Sequence, residues 1–273
     1  MTRIALFQST TGIDPLANAR ILEQAIGQAA GAGAQFLFTP EMSGLLDRDS
    51  ARAATNLRSE DDDPVLAACR DAARRNGIWL HIGSLAVLAG DGKVANRSFV
   101  IDSEGEVRAS YDKLHLFDVD LPTGESWRES ASYAPGASSV VVEGTPVGRL
   151  GLTICYDIRF PALFAALAEA GAETIAVPAA FTVPTGKAHW HILIRARAIE
   201  AGVFAVAAAQ CGAHEDGRET YGHSLVVEPW GEVLLDMGEE NGVGFAEVDL
   251  GAMDDVRSRL PAIRHRRAIP APR

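Results

Sequence analysis

Cysteine is scarce in this chain of 273 residues, which has three, Cys69, Cys155 and Cys211, and no CxxC pair among them. An odd number without metal-type spacing argues against a disulfide framework and a cysteine zinc site, and leaves at least one free thiol. Positive charge is in deficit, with 25 Lys and Arg against 36 Asp and Glu, a net charge of -11. Nucleic acid and anionic membrane surfaces would repel such a chain, so neither is expected as a partner, although a local basic pocket remains compatible. Long apolar runs are missing, since stretches such as Val203–Ala209 fall far short of the roughly 18 residues that span a bilayer. The segment Met1–Phe7 lacks a signal-peptide core and a cleavage site, which gives the expectation of a cytoplasmic protein. No GxGxxG or GxxxxGKS/T loop follows the first apolar run, so no nucleotide cofactor is expected.

What is present is the balance of a folded protein, 47% hydrophobic and 22% charged. This length suits one large core, so residues 1–273 are expected to form a single domain, with the basic, proline-containing 264–273 as an arm or tail. Apolar runs of strand length alternate with helical segments: Ile4–Gln8, a helix over Pro15–Gly31, then Gln35–Thr39. A second helix over Asp63–Asn76 starts with Asp-Pro and stops at Gly77, leading into a strand over Ile78–Ser84. Asn96–Ser103 and Glu106–Ser110 around Glu104-Gly105 read as an antiparallel hairpin, which makes the sheet mixed. Residues 113–136 are rich in Asp, Pro, Gly and Ser and read as a functional loop. Beyond it, strands at Arg149–Cys155, Glu173–Pro178 and Val203–Ala209 alternate with helices at Pro161–Ala170 and Ala188–Gly202, and the end is strand-rich. Many strands with helices to cover two faces predict a layered α/β sandwich rather than a doubly wound sheet.

Three positions are candidates for chemistry. Cys155 ends an apolar run and precedes the segment Tyr156–Pro161, where a helix should begin. A thiol at such a turn meets helix N–H groups that lower its pKa and can hold an oxyanion, yet locally Cys155 is also readable as a buried core cysteine. Glu41 follows the apolar strand ending in Thr39-Pro40, and Lys113 follows the hairpin. Alone, Glu41 is readable as a helix N-cap-region acid or a surface group, and Lys113 as a solvated loop lysine.

Together, Phe38-Thr39-Pro40-Glu41, Tyr111-Asp112-Lys113-Leu114-His115-Leu116 and Gly151-Leu152-Thr153-Ile154-Cys155-Tyr156-Asp157-Ile158-Arg159-Phe160-Pro161 resemble the signatures of the nitrilase, or carbon-nitrogen hydrolase, superfamily. The resemblance runs from Ile4 to about Arg267. It implies a four-layer αββα sandwich that forms homodimers or higher oligomers, and a Glu-Lys-Cys triad without metal or cofactor. Glu41 would be the general base and acid, Lys113 the cation beside the oxyanion and Cys155 the nucleophile. Glu129, or its neighbour Glu125, would orient Lys113, and the Tyr156 backbone N–H would complete the oxyanion site. Arg159, Phe160, Phe181 and His189 fall near the expected substrate pocket, with Arg159 open between a carboxylate contact and a structural ion pair.

Cys155-Tyr156-Asp157 departs from the Cys-Trp-Glu of long-chain nitrilases, and so favours an amidase. Segments around His115, Lys187-Ala188-His189-Trp190, Gln210-Cys211-Gly212 and Tyr221-Gly222-His223-Ser224 are similar to the branch containing deaminated glutathione amidase and ω-amidase, leaning toward the former. The expected reaction turns a small carboxylate-bearing amide into an acid and ammonia through a thioester, with 2-oxoglutaramate or 2-oxosuccinamate as the alternative substrates. Two rival readings are a metal-dependent hydrolase using His115, His189, His191, Asp157 and Asp118, and a catalytically silent binding protein. For Cys211, core packing or pocket lining is expected.

Overall fold

The computed structural model describes residues 1–89, 92–121, 124 and 126–270. Its strands are β1 (Thr2–Gln8), β2 (Phe36–Phe38), β3 (Trp79–Leu88), β4 (Val94–Ile101), β5 (Val107–Asp112), β6 (Asp118–Asp120), β7 (Ser126–Arg128), β8 (Val141–Thr145), β9 (Gly148–Leu152), β10 (Thr174–Ala176), β11 (Phe204–Ala207), β12 (Cys211–Ala213), β13 (Glu219–Tyr221), β14 (Leu225–Val227), β15 (Val233–Asp236) and β16 (Gly242–Val248). The helices are α1 (Pro15–Gly31), α2 (Ser50–Asn56), α3 (Pro64–Asn76), α4 (Pro161–Glu169), α5 (Val183–Ala201) and α6 (Leu250–Arg259). Two six-stranded mixed sheets, ordered β16-β1-β2-β3-β4-β5 and β15-β14-β11-β10-β9-β8, form the centre of the α/β sandwich.

Side-chain alternation along the strands builds the layers. In β1, Ile4 and Leu6 pack with the second sheet, whereas Ala5 and Phe7 pack with α1 and α3; in β2, Phe36 and Phe38 face one way and Leu37 the other. The far face of the second sheet is covered by Leu163, Phe164 and Leu167 of α4 and by Trp190, Ile194 and Ala198 of α5. The expected four layers, helix, sheet, sheet and helix, follow directly from this two-sided burial. Among the described residues, no helix is long and apolar enough to cross a membrane.

The helix signals read from sequence hold at α1 and α3. Asp14 and Asp63 cap their first N–H groups, and Gly77 ends α3 in the left-handed region at φ 62. The α5 helix starts at Val183, five residues before the expected Ala188. Pro184 sits in its first turn, and Gly186, which the pattern left in a loop, is required there because a Cβ would strike the Tyr221 ring. The segment 113–136 contains the short hairpin β6–β7 rather than loop alone. Helices α2 and α6, and the hairpin β12–β13, had no apolar stripe long enough to reveal them: α2 buries no residue and α6 only Met253. Within the basic tail, Arg266 pairs with Glu169 of α4 at 3.0 Å.

Candidate active site

Glu41 is set by backbone contacts from both sheets. Just beyond β2, the Met42 N–H donates to Ser84 Oγ of β3 at 2.8 Å, and Gln210 Nε2, from the chain leaving β11, donates to the Glu41 carbonyl at 2.9 Å. Met42 takes φ 58 to make this turn. Lys113 emerges at the end of β5, its N–H on the Asn96 carbonyl at 3.0 Å and its carbonyl accepting from Gly136 at 2.9 Å. Cys155 follows β9 at the start of a 3₁₀ turn, Cys155–Arg159, in the left-handed region at φ 49, with its N–H on the Pro178 carbonyl at 2.8 Å. A non-glycine residue held at that φ is backbone strain imposed by its surroundings.

The three side chains meet. Lys113 Nζ donates to Glu41 Oε1 at 2.9 Å and to Glu129 Oε2 at 2.9 Å, and the Cys155 thiol adjoins the Glu41 carboxylate. Glu41, Lys113 and Cys155 are only 5%, 2% and 8% exposed. Asn96, which sequence reading treated as no more than a strand residue, donates through Nδ2 to both Glu41 at 3.0 Å and Glu129 at 3.1 Å. Its one signal was an amide within β4, a strand that also carries Arg97 and Ser98. Glu129 also accepts from the Phe117 N–H at 2.7 Å, so it is the carboxylate at Lys113; the alternative, Glu125, lies outside the described residues. The Tyr156 N–H has no protein acceptor among the described residues.

The charges correct one sequence expectation. Burial pushes the Cys155 thiol well up and Glu41 pushes it further, against the smaller opposing pull of Lys113. The helix turn therefore does not produce a resting thiolate, because one ammonium already faces two carboxylates. Burial also raises Glu41, but Lys113 and the bonds from Cys155 and Asn96 outweigh it and hold that carboxyl below its ordinary value. Burial lowers Lys113, yet Glu129 and Glu41 more than compensate and hold it well above its ordinary value. The geometry is that of a neutral thiol beside an ionised base and a fixed cation.

Asp157, one of the conceivable metal ligands, is fully buried and occupied. It accepts from Tyr111 Oη at 2.7 Å, the Ile154 N–H at 2.9 Å and the His115 N–H at 3.1 Å, and contacts His115 Nδ1 at 2.7 Å. These bonds tie the Lys113 loop to the Cys155 turn. The rival metal set does not assemble: Asp118 is bonded to Ser130, His189 lies at Arg159, and His191 instead joins His223 and Asp236 in a cluster away from the cavity wall.

A cavity of about 740 Å³ opens over Cys155, walled by Phe117, Trp127, Tyr156 and Phe181. Arg159 lines it, 5.5 Å over the Phe181 ring and 5.9 Å over Tyr156, with its guanidinium 3.4 Å from His189 Nδ1. It makes no carboxylate ion pair among the described residues, so of its two readings the structural pair is not formed. Phe160 and His189 are set back from the wall, Phe160 stacked on His115 at 3.6 Å. Cys211 is buried against Asn241 Oδ1 at 3.0 Å and does not line the cavity.

Comparison with known proteins agrees with this architecture. Residues 3–258 match the profile of the carbon-nitrogen hydrolase family. The chain is 39% identical over 269 residues to deaminated glutathione amidase of Yersinia enterocolitica, covering 97% of this chain and 93% of that one. It is 40% identical over 268 residues to the Homo sapiens protein of the same name, covering 97% and 82%. The Caenorhabditis elegans NitFhit structure superposes with a TM-score of 0.90 at 38% identity, over 97% of this chain, which spans 65% of that longer one. An amidase from Nesterenkonia sp. superposes with a TM-score of 0.80 at 32% identity over 95% of each chain. A mutant of the amidase from Nesterenkonia sp. AN1 shows Michael addition of acrylamide at its active-site cysteine. The chain belongs to the carbon-nitrogen hydrolase family and is an enzyme of the amidase kind.

Proposed function

We propose that this protein hydrolyses deaminated glutathione, with Cys155 as nucleophile, Glu41 as general base and acid, and Lys113 with the Tyr156 N–H as oxyanion donors. The observation that carries the reading is the single buried contact chain from the Cys155 thiol to Glu41 to Lys113. Glu41 accepts the thiol proton as Sγ attacks the amide carbon, so the thiolate forms only when substrate is there to use it. Negative charge then grows on the carbonyl oxygen, where an ammonium in a water-poor site stabilises it; removing one such donor typically costs about 3 kcal/mol. Glu41 returns its proton to the departing nitrogen, then activates the water that cleaves the thioester. Glu129 orients Lys113, and Arg159, lying over the Phe181 ring, receives the acyl carboxylate.

The nitrogen leaves as ammonia from a primary amide, but deaminated glutathione has only secondary amides, so there it leaves as the amine of cysteinylglycine. Assay therefore needs to follow 2-oxoglutarate as well as ammonia, across deaminated glutathione, 2-oxoglutaramate, an asparagine-type amide, an N-carbamoyl amino acid and a nitrile. Highest kcat/KM on deaminated glutathione is expected; preference for 2-oxoglutaramate would establish the ω-amidase alternative instead. Cys155→Ala should abolish turnover while Cys211→Ala retains it, and the reverse outcome removes Cys155 as nucleophile. Three free thiols fit a reducing compartment such as the cytoplasm. A homodimer belongs to the same proposal.

A further inference from the structure

The arginines that line the cavity differ in how they are paired. Arg128 is held by both oxygens of Asp120 at 2.9 Å. Arg218 gives its Nε to Asp216 Oδ2 at 2.7 Å, and its two terminal nitrogens have no acceptor among the described residues. The Arg48 guanidinium has none at all, because the neighbouring Asp47 is already taken by Arg52 at 2.6 and 2.8 Å. Glu219 also lines the cavity but pairs with neither Arg48 nor Arg218.

Both guanidiniums lie over the same ring, Arg48 at 5.3 Å and Arg218 at 5.3 Å from the centroid of Trp127. Stacking on an aromatic face leaves the N–H edge of a guanidinium free, the edge that fits a carboxylate with two parallel bonds. Their positions are built in: the buried Asp216 Oδ2 that accepts from Arg218 also accepts the Arg48 backbone N–H at 2.9 Å, so one oxygen joins the loop before α2 to the loop before β13. Asp216 engages only the Nε of Arg218, and Glu219 on the same wall pairs with neither cation, so guanidinium N–H edges beside Trp127 stay open to an anionic group.

A wall of rings leads from this end to the nucleophile. Trp127 lies 6.4 Å from Phe117, Phe117 lies 5.1 Å from Tyr156, and Arg159 sits 5.9 Å over Tyr156 beside Cys155. The cavity thus has a cationic group at each end of an aromatic wall, with the thiol near one of them. A primary ω-amide of about ten heavy atoms carries one carboxylate and would fill only a minor part of a site in the usual range for larger ligands.

We propose that Arg48 and Arg218, stacked on Trp127, form a second carboxylate subsite that binds the far end of the leaving group, the glycine carboxylate of deaminated glutathione. This rests on the amidase reading of Cys155 and names what discriminates a dipeptide-bearing amide from a small ω-amide. The site takes linear amides with a carboxylate at both ends.

The test compares two substrates on the same enzyme preparations, deaminated glutathione and 2-oxoglutaramate, which present the same acyl group and differ in the distal carboxylate. In Arg48→Gln and Arg218→Gln, kcat/KM for deaminated glutathione should fall about tenfold more than that for 2-oxoglutaramate, chiefly through KM. Wild-type enzyme should lose a similar factor when the glycine carboxylate is converted to its amide, and the variants should no longer distinguish the two forms. Equal losses on both substrates, or indifference of the wild type to the amidated glycine, would overturn the subsite while leaving the Cys155 chemistry intact. A wild type inactive on both substrates would overturn the functional reading and the subsite with it.

Discussion

Burial keeps the Cys155 thiol protonated, and the Glu41 carboxylate beside it adds to the effect. Because Glu41 is among the groups that raise the thiol, Glu41→Gln should lower the apparent pKa for alkylation by iodoacetamide, while amide turnover falls by roughly 10³-fold with loss of the base. An upward shift of the alkylation pKa would contradict the arrangement. A second titration concerns stability. His81 is buried in β3, and burial pushes its imidazole down to about 3. The unfolded chain takes up that proton near its ordinary value of about 6.5, so between these limits the unfolded state binds more protons and stability declines as the pH falls, by up to about 1.4 kcal/mol per unit. Urea unfolding between about pH 7 and pH 5 should show this slope flattened in His81→Gln. An unchanged slope assigns the acid sensitivity to other groups.

At the scale of elements, the end of β2 that carries Glu41 and the end of β10 that holds the Cys155 N–H converge on one glycine. A Cβ at Gly83 in β3 would run into the Thr39 and Pro40 carbonyls and the Pro178 ring. Pro40 precedes Glu41, and the Pro178 carbonyl holds the Cys155 N–H. Gly83→Ala should therefore cost about 1–3 kcal/mol as overpacking and shift both side chains together. The expected result is a lowered melting temperature together with a lower kcat; a variant with normal kcat would show that the strand ends move independently of the site. The β12–β13 hairpin, invisible as a pattern, matters in the same way, because its connecting loop brings Arg218 to the cavity and Asp216 behind it.

At the scale of the whole molecule, the first sheet supplies Glu41 and Lys113 and the second supplies Cys155, so the site exists only where the two are packed. The outer surface bears an apolar hollow formed by Ile199, Trp230, Leu260 and Pro261, with Trp230 65% exposed. Burial of this hollow by a second copy would suit a homodimer. Light scattering should give twice the chain mass of 29.0 kDa, and Ile199→Asp with Trp230→Asp should give the single-chain mass; a monomeric wild type would contradict the dimer.

Sequence by itself determined the alternation of strands and helices and the caps of α1 and α3, since these rest on short-range periodicity and end signals, whereas Glu41, Lys113 and Cys155 stood out only through the likeness of their segments to family signatures. The same local evidence left Cys155 readable as a core cysteine and gave no reason to select Asn96, Arg48 or Arg218. Only the tertiary structure decided that Asn96 joins the two carboxylates, that Asp157 ties the lysine loop to the cysteine turn, and that the thiol rests protonated. The physical reason is that pKa shifts and ion pairing depend on burial and on charges distant in the chain: Glu41 meets Lys113 across 72 positions, and Asp216 meets Arg48 across 168.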